Sequence, residues 1–250
     1  MTCKSVTPLL IRCLLVTVTA MNSFVAQATG MLPDTPLLVI SEADGTAQMG
    51  LRNTDNEPLL LHTTIIDLPG PAGPAVYALP PVARVEANGR QVVRFILEKT
   101  AEPLKVQQLK RVSFEGIPTR KPGSQDTNTV QLTVAQVLPV IISPKGLEQD
   151  PEPWKNITWK LVDGQFVIAN LSPFGARLSQ EVVLLPMGKS VRLLPRPYVL
   201  PGETFTVAMP PDVIAPVTAL RMQPASPYGF SVAPVEVALQ RSALTPPDIT

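Results

Sequence analysis

Beyond residue 13 the chain contains no cysteine, and its 250 residues include one histidine, His62. These absences remove whole classes of chemistry. A cysteine nucleophile and a thiolate zinc site are excluded, and a serine triad would have to be built around His62 alone. That histidine lies inside the apolar run "LLLHTTIID", where it reads as a partly buried strand residue. No glycine-rich loop of the phosphate-cradling kind is present. Paired carboxylates could in principle run glycoside hydrolysis. The acids, however, lie mostly beside turn residues, at Asp44, Asp55, Glu86 and Asp163, where solvated structural roles suffice. No catalytic residue, metal or cofactor is indicated.

Long apolar runs are also missing. The longest, "CLLVTVTAM", is too short to cross a bilayer as a helix of about 20 residues. It sits between the basic residues Lys4 and Arg12 and the segment Ala26-Gln27-Ala28, whose alanines supply small residues at the −3 and −1 positions. This is the layout of a secretory signal peptide over residues 1–28, cleaved after Ala28. Both cysteines, Cys3 and Cys13, fall within it. The mature chain then has no disulfide and must rely on its core for stability. Lys4 and Arg12 are two of the 21 basic residues; without them 19 face 20 acidic residues, a formal charge of −1. That balance does not indicate a nucleic-acid binder, and nothing indicates membrane insertion.

What the chain has in quantity is proline, 29 residues of it. Proline lacks the N–H donor and fixes φ, so long helices are not expected. Dispersed Val, Thr, Ile and Leu, with turn signals near every ten residues, predict many short strands. "LLVISEADGTAQMGLRN" reads as strand, Asp44-Gly45 turn, strand. "PLLLHTTIID" (58–67) is a strand. In "PPVARVEANGRQVVRFI" (80–96) a strand from Val82 to Val85 meets a turn over Glu86–Gly89, and a second strand runs from Arg90 to Leu97. Asn88-Gly89 suits a hairpin-like turn because both residues tolerate positive φ. A polar loop is expected at 119–129. The strand "VQLTVAQVLPVIISP" (130–144) follows, with Val130, Leu132 and Val134 on one side. "KGLEQDPEP" (145–153) breaks the pattern and marks a domain boundary. Beyond it, Asp163-Gly164 predicts another hairpin. Two tandem all-β sandwiches result, over 29–147 and 148–243, with a disordered tail at 244–250.

Five blocks, in order, resemble the periplasmic chaperones of the chaperone–usher pilus pathway. They are "LRNTDNEPLLLHTTIID", "PPVARVEANGRQVVRFI", "RVSFEGIP", "LPVIISP" and "LVDGQFVIANLSPFGARL". The resemblance implies two immunoglobulin-like β-sandwich domains joined in an L shape. It implies a chaperone of the periplasm that lends the last strand of its first domain to a pilus subunit and delivers that subunit to an outer-membrane usher. Val130, Leu132 and Val134 match the family's inserting positions, and Leu138 extends the row. Arg84 and Arg94 read as organisers of surface and turns. Free protein would be prone to self-association along an exposed apolar edge. The alternative is a non-catalytic immunoglobulin-like binding module or pilus-structural component.

The chain departs from the family where the subunit's terminal carboxylate is held. Typical members use an Arg early in the first strand, but "LPDTPLLVI" has no basic residue. They also use a Lys near the end of the donor strand, and that position falls at Pro139. The domain-bridging Arg falls at Ser143. Lys110, Arg111 and Lys145 are the candidate substitutes, since a carboxylate needs a cation or several N–H donors. Pro139 also removes a ladder donor, which predicts a bulge or loosening there.

Overall fold

The computed structural model describes residues 30–70, 73–119, 133–226 and 230–242. The expected leader, most of the 119–129 loop, Val130, Leu132 and the expected tail lie outside the described residues. Nine strands form the first sandwich: β1 (Met31–Pro33), β2 (Leu38–Ser41), β3 (Thr46–Asn53), β4 (Leu59–Asp67), β5 (Val76–Leu79), β6 (Val82–Val85), β7 (Arg90–Leu97), β8 (Gln108–Pro118) and β9 (Ala135–Ser143). One sheet has the order β1-β3-β7-β5 and the other β2-β9-β8-β4-β6. Period-two apolar residues close the space between them. Leu51, Leu61, Val93, Val112 and Ile142 are fully buried, and Phe95 meets Phe114 edge-on with ring centroids 6.3 Å apart.

The second sandwich contains β10 (Ile157–Val162), β11 (Gln165–Asn170), β12 (Ala176–Leu185), β13 (Lys189–Arg192), β14 (Tyr198–Val199), β15 (Thr204–Ala208), β16 (Ala219–Ala225), β17 (Val235–Ala238) and β18 (Gln240–Ser242). Its sheets run β15-β11-β10-β18 and β13-β12-β16-β17, with β14 pairing β12. Trp159, Phe166, Ile168, Leu184 and Leu193 fill its core, which shares no residue with the first. Among the described residues the helices are two single turns, Pro153–Asn156 and Pro211–Ile214, each opened by proline.

The turns show where sequence pattern translates into structure and where it does not. Asp163 and Gly164 both have positive φ, 47° and 75°, and join paired neighbours Val162 and Gln165 in a tight hairpin. Residues 82–97 are not a hairpin. β6 pairs β4 while β7 pairs β3 and β5, so the Asn88-Gly89 turn carries the chain from one sheet to the other. Asn88 alone takes positive φ, at 57°. Gly89 is required for another reason: a Cβ there would stand 2.8 Å from the Glu86 carbonyl oxygen.

Each sandwich is bracketed by a fully buried asparagine at the end of a strand. The Asn53 side chain donates to the carbonyl oxygens of Glu57, Val85 and Glu86 and accepts from the Asp55 N–H. The Asn170 side chain donates to the carbonyl oxygens of Phe174 and Val199 and accepts from Ser172. In both, the amide holds a tight loop and the strand across from it. A buried amide is tolerated because its donors and acceptor are satisfied. The two sandwiches meet at Gln107, just before β8. Its N–H donates to the Pro173 carbonyl oxygen at 2.9 Å, and its Oε1 accepts the Gly175 N–H at 3.1 Å.

Candidate functional site

The site is built on β9. Along one edge β9 pairs with β8 from Ala135 to Ile142. Along the other it meets β2, whose register begins at Val140 and ends at Ser143. Residues Ala135 to Pro139 therefore have one strand neighbour and one free edge. The register with β8 runs unbroken through the Arg111–Pro139 pair. The expected bulge at Pro139 does not occur. The free edge is the physical reason: a proline whose nitrogen faces no partner strand costs no ladder bond.

The side chains of this segment divide by parity. Val140 and Ile142 are buried in the first core, and Leu138 packs half-buried against it. Leu138 thus contributes to its own domain as well as standing in the expected row. Val134, 52% exposed, precedes the strand. On the opposite face Val137 is 48% exposed, Pro139 is half-buried, and Ile141 turns toward the second sandwich. Val39 of β2 and Ile141 line a groove of about 240 Å³ between the domains, closed on the far side by Phe174 and Gly175.

The candidate cations fall in three different settings. Lys110 lies on the core face of β8, 5% exposed, with its ammonium paired to Asp67. A buried cation that already holds its carboxylate is not free for another, and Lys110 is corrected from candidate anchor to structural ion pair. Lys145 is exposed; its backbone N–H donates to the Glu42 carboxylate at 2.8 Å. Arg111 stands on the free face of β8, opposite Pro139, and has no carboxylate partner among the described residues. Arg177 of β12 lines the cleft together with Gln107, Ile141 and Tyr198. Burial, and then the Arg111 charge, lower the Arg177 pKa from its ordinary value. Arg177 and Gln107 carry no signal in the sequence, because only the docking of the two sandwiches brings them to one place.

Arg84 and Arg94 stand on different sheets and apart from this cleft. Arg84 pairs with Glu86 at 2.8 Å in solvent, and Arg94 is exposed between Gln48 and Leu79. His62 is half-buried on β4, 3.8 Å from Glu115.

Comparison with known proteins decides the family. An uncharacterized fimbrial chaperone of Escherichia coli (strain K12), YhcA, is 39% identical over 214 residues, which is 85% of this chain and 90% of that protein. The chain belongs to the fimbrial chaperone family. Residues 30–148 of this chaperone match the family described as pili and flagellar-assembly chaperone, PapD N-terminal domain. Its fold is similar to that in the structure of Salmonella enterica SafA pilin in complex with the SafB chaperone, at TM-score 0.67 and 19% identity, covering 85% of this chain and 98% of that one. It is similar also to the E. coli chaperone DraB, at TM-score 0.66 and 18% identity, covering 86% and 98%. Both of its sandwiches are immunoglobulin-like.

Proposed function

We propose that this chaperone works in the periplasm, binds pilus subunits by strand addition to β9, and passes them to an outer-membrane usher. The observation that carries the proposal is the half-covered edge of β9. From Ala135 to Pro139 the strand has one neighbour, and the chain leading into it holds the alternating row Val130, Leu132, Val134. A free strand edge offers backbone donors and acceptors to an incoming chain, and alternate side chains offer specificity. Each such side chain buried in a partner stabilises the complex by roughly 1.5–3 kcal/mol. The same edge can pair with a second copy when no subunit is bound. Export rests on the leader-like residues 1–28, and no described helix is long and apolar enough to cross a membrane. The role is one of binding, without catalysis. Of the candidate carboxylate anchors, Arg111 is the one that stands exposed beside Pro139 of β9, with no carboxylate partner among the described residues.

The test is retention of subunits from a periplasmic extract by tagged protein, with Leu132→Asp and Val134→Asp beside the parent chain. Circular dichroism checks that all three fold. Subunit retained by the parent and lost by both folded variants supports strand addition. Equal retention by all three refutes it.

A further inference from the structure

The outer face of the sheet β1-β3-β7-β5 collects cations and exposed apolar side chains. These four strands contain Arg52, Arg90 and Arg94 and no aspartate or glutamate. The pleat turns Val93 and Phe95 into the core, so Arg90, Val92 and Arg94 point outward. Register completes the face. Leu32 and Arg52 share a row with Arg90, Gly50 pairs Val92, and Leu79 pairs Arg94, with Tyr77 two residues before it on β5. Leu32, Tyr77, Leu79 and Val92 are 46–55% exposed. In the second sandwich the exposed large hydrophobic residues, Leu171, Met187 and Phe230, lie in loops instead. Asp34 pairs with Arg90. Arg52 and Arg94 are exposed and have no carboxylate partner among the described residues. Other nearby acids stay in the turns that bound the sheet, at Asp44, Asp55, Glu86 and Glu98.

We propose that this face docks on an anionic lipid surface, with Arg52 and Arg94 on lipid phosphates and the four apolar side chains at the acyl boundary. A guanidinium presents a planar fork of donors that matches a phosphate in two parallel hydrogen bonds. Arginines interleaved with exposed apolar groups meet both layers of a bilayer interface, the charged headgroups and the hydrocarbon beneath them. A merely acidic partner would leave the apolar half of the face uncovered. The mature chain is slightly negative, whereas this face sets three arginines against one aspartate, so the field of an anionic surface turns this face toward it. The sheet is one layer of the first sandwich, and β9 belongs to the other. Docking therefore leaves the Ala135–Pro139 edge pointing away from the lipid. The contact is peripheral, and it does not rest on strand addition.

The experiment is co-sedimentation of the full mature chain with vesicles of phosphatidylcholine alone, and of phosphatidylcholine and phosphatidylglycerol in equal parts. Binding to the anionic vesicles and not to the neutral ones, weakening as salt rises, is expected. The double variant Arg52→Gln/Arg94→Gln should weaken it about thirtyfold, about fivefold to sixfold for each charge near the surface. Leu79→Ser/Val92→Ser should weaken it too, with the salt dependence of the parent chain. All four positions are exposed, so neither change touches the core, and circular dichroism checks that both variants fold. Lys160→Gln/Arg192→Gln removes the same charge from exposed positions of the second sandwich and should leave binding unchanged. Equal loss in that control, equal binding to neutral vesicles, or no binding to either overturns the proposal. Poly-glutamate that binds as tightly as the anionic vesicles, and is lost with Arg52→Gln/Arg94→Gln, would assign the face to an acidic chain and overturn the lipid.

Discussion

Gln107 and Gly175 join the two sandwiches: the Gln107 Oε1 accepts the Gly175 N–H at 3.1 Å, beside the backbone bond from Gln107 to Pro173. This neutral clasp supplies polar contact across the cleft. Gln107→Ala leaves the backbone bond and removes the side-chain one. It should cost about 1 kcal/mol of stability in urea unfolding, the usual net worth of one hydrogen bond. Small-angle scattering should show a broader range of domain separations, with circular dichroism unchanged. An unchanged scattering profile would show that the Gln107 side-chain bond does not set the domain angle.

The buried asparagines give a paired prediction. Asn53→Ala removes the amide donor to the carbonyl oxygens of Glu57, Val85 and Glu86, and Asn170→Ala the donor to those of Phe174 and Val199. Each should destabilise its own sandwich by roughly 2–3 kcal/mol, because unsatisfied buried groups cost more than the bond is worth. The exposed Asn56→Ala should stay within about 0.5 kcal/mol. Limited proteolysis, read domain by domain, would show whether each loss stays local.

At the Asn88-Gly89 turn the two residues should respond in opposite directions. Asn88→Gly relieves a side chain from positive φ and should be neutral or stabilising by up to about 1 kcal/mol. Gly89→Ala drives a Cβ against the Glu86 carbonyl oxygen at 2.8 Å and should destabilise by about 1–3 kcal/mol. Thermal melts of the two variants check both signs.

Glu42 carries an acid-sensitive bracket. Its two carboxylate oxygens accept the N–H groups of Lys145 and Leu104, each at 2.8 Å, and these bonds hold its pKa below the ordinary value. A carboxylate with a lowered folded pKa adds stability above the unfolded value of about 4.3. That contribution disappears as pH falls through the folded value. The gap in melting temperature between parent and Glu42→Gln should therefore be widest near neutrality and close below about pH 4. A gap independent of pH would mean that the carboxylate charge does not matter.

Much of this molecule was legible in the chain itself. Proline content and short apolar alternation determined an all-β fold, because they deny helices their hydrogen bonds and match the pleat of a half-buried strand. Asp163-Gly164 determined its own hairpin, since two adjacent residues able to take positive φ encode that turn locally. The row Val130, Leu132, Val134 marked the segment leading into the half-covered strand β9. Three features were decided by tertiary structure alone. The turn at Asn88-Gly89 looked like a hairpin, yet it crosses between sheets, because strand partners are chosen by the whole core and not by the turn. Lys110 and Arg111 are adjacent in sequence, but the pleat buries one against Asp67 and leaves the other exposed opposite Pro139. Arg177 joins Gln107 and Ile141 in one cleft only because two separately cored domains dock, and no local pattern encodes a contact whose two halves fold apart.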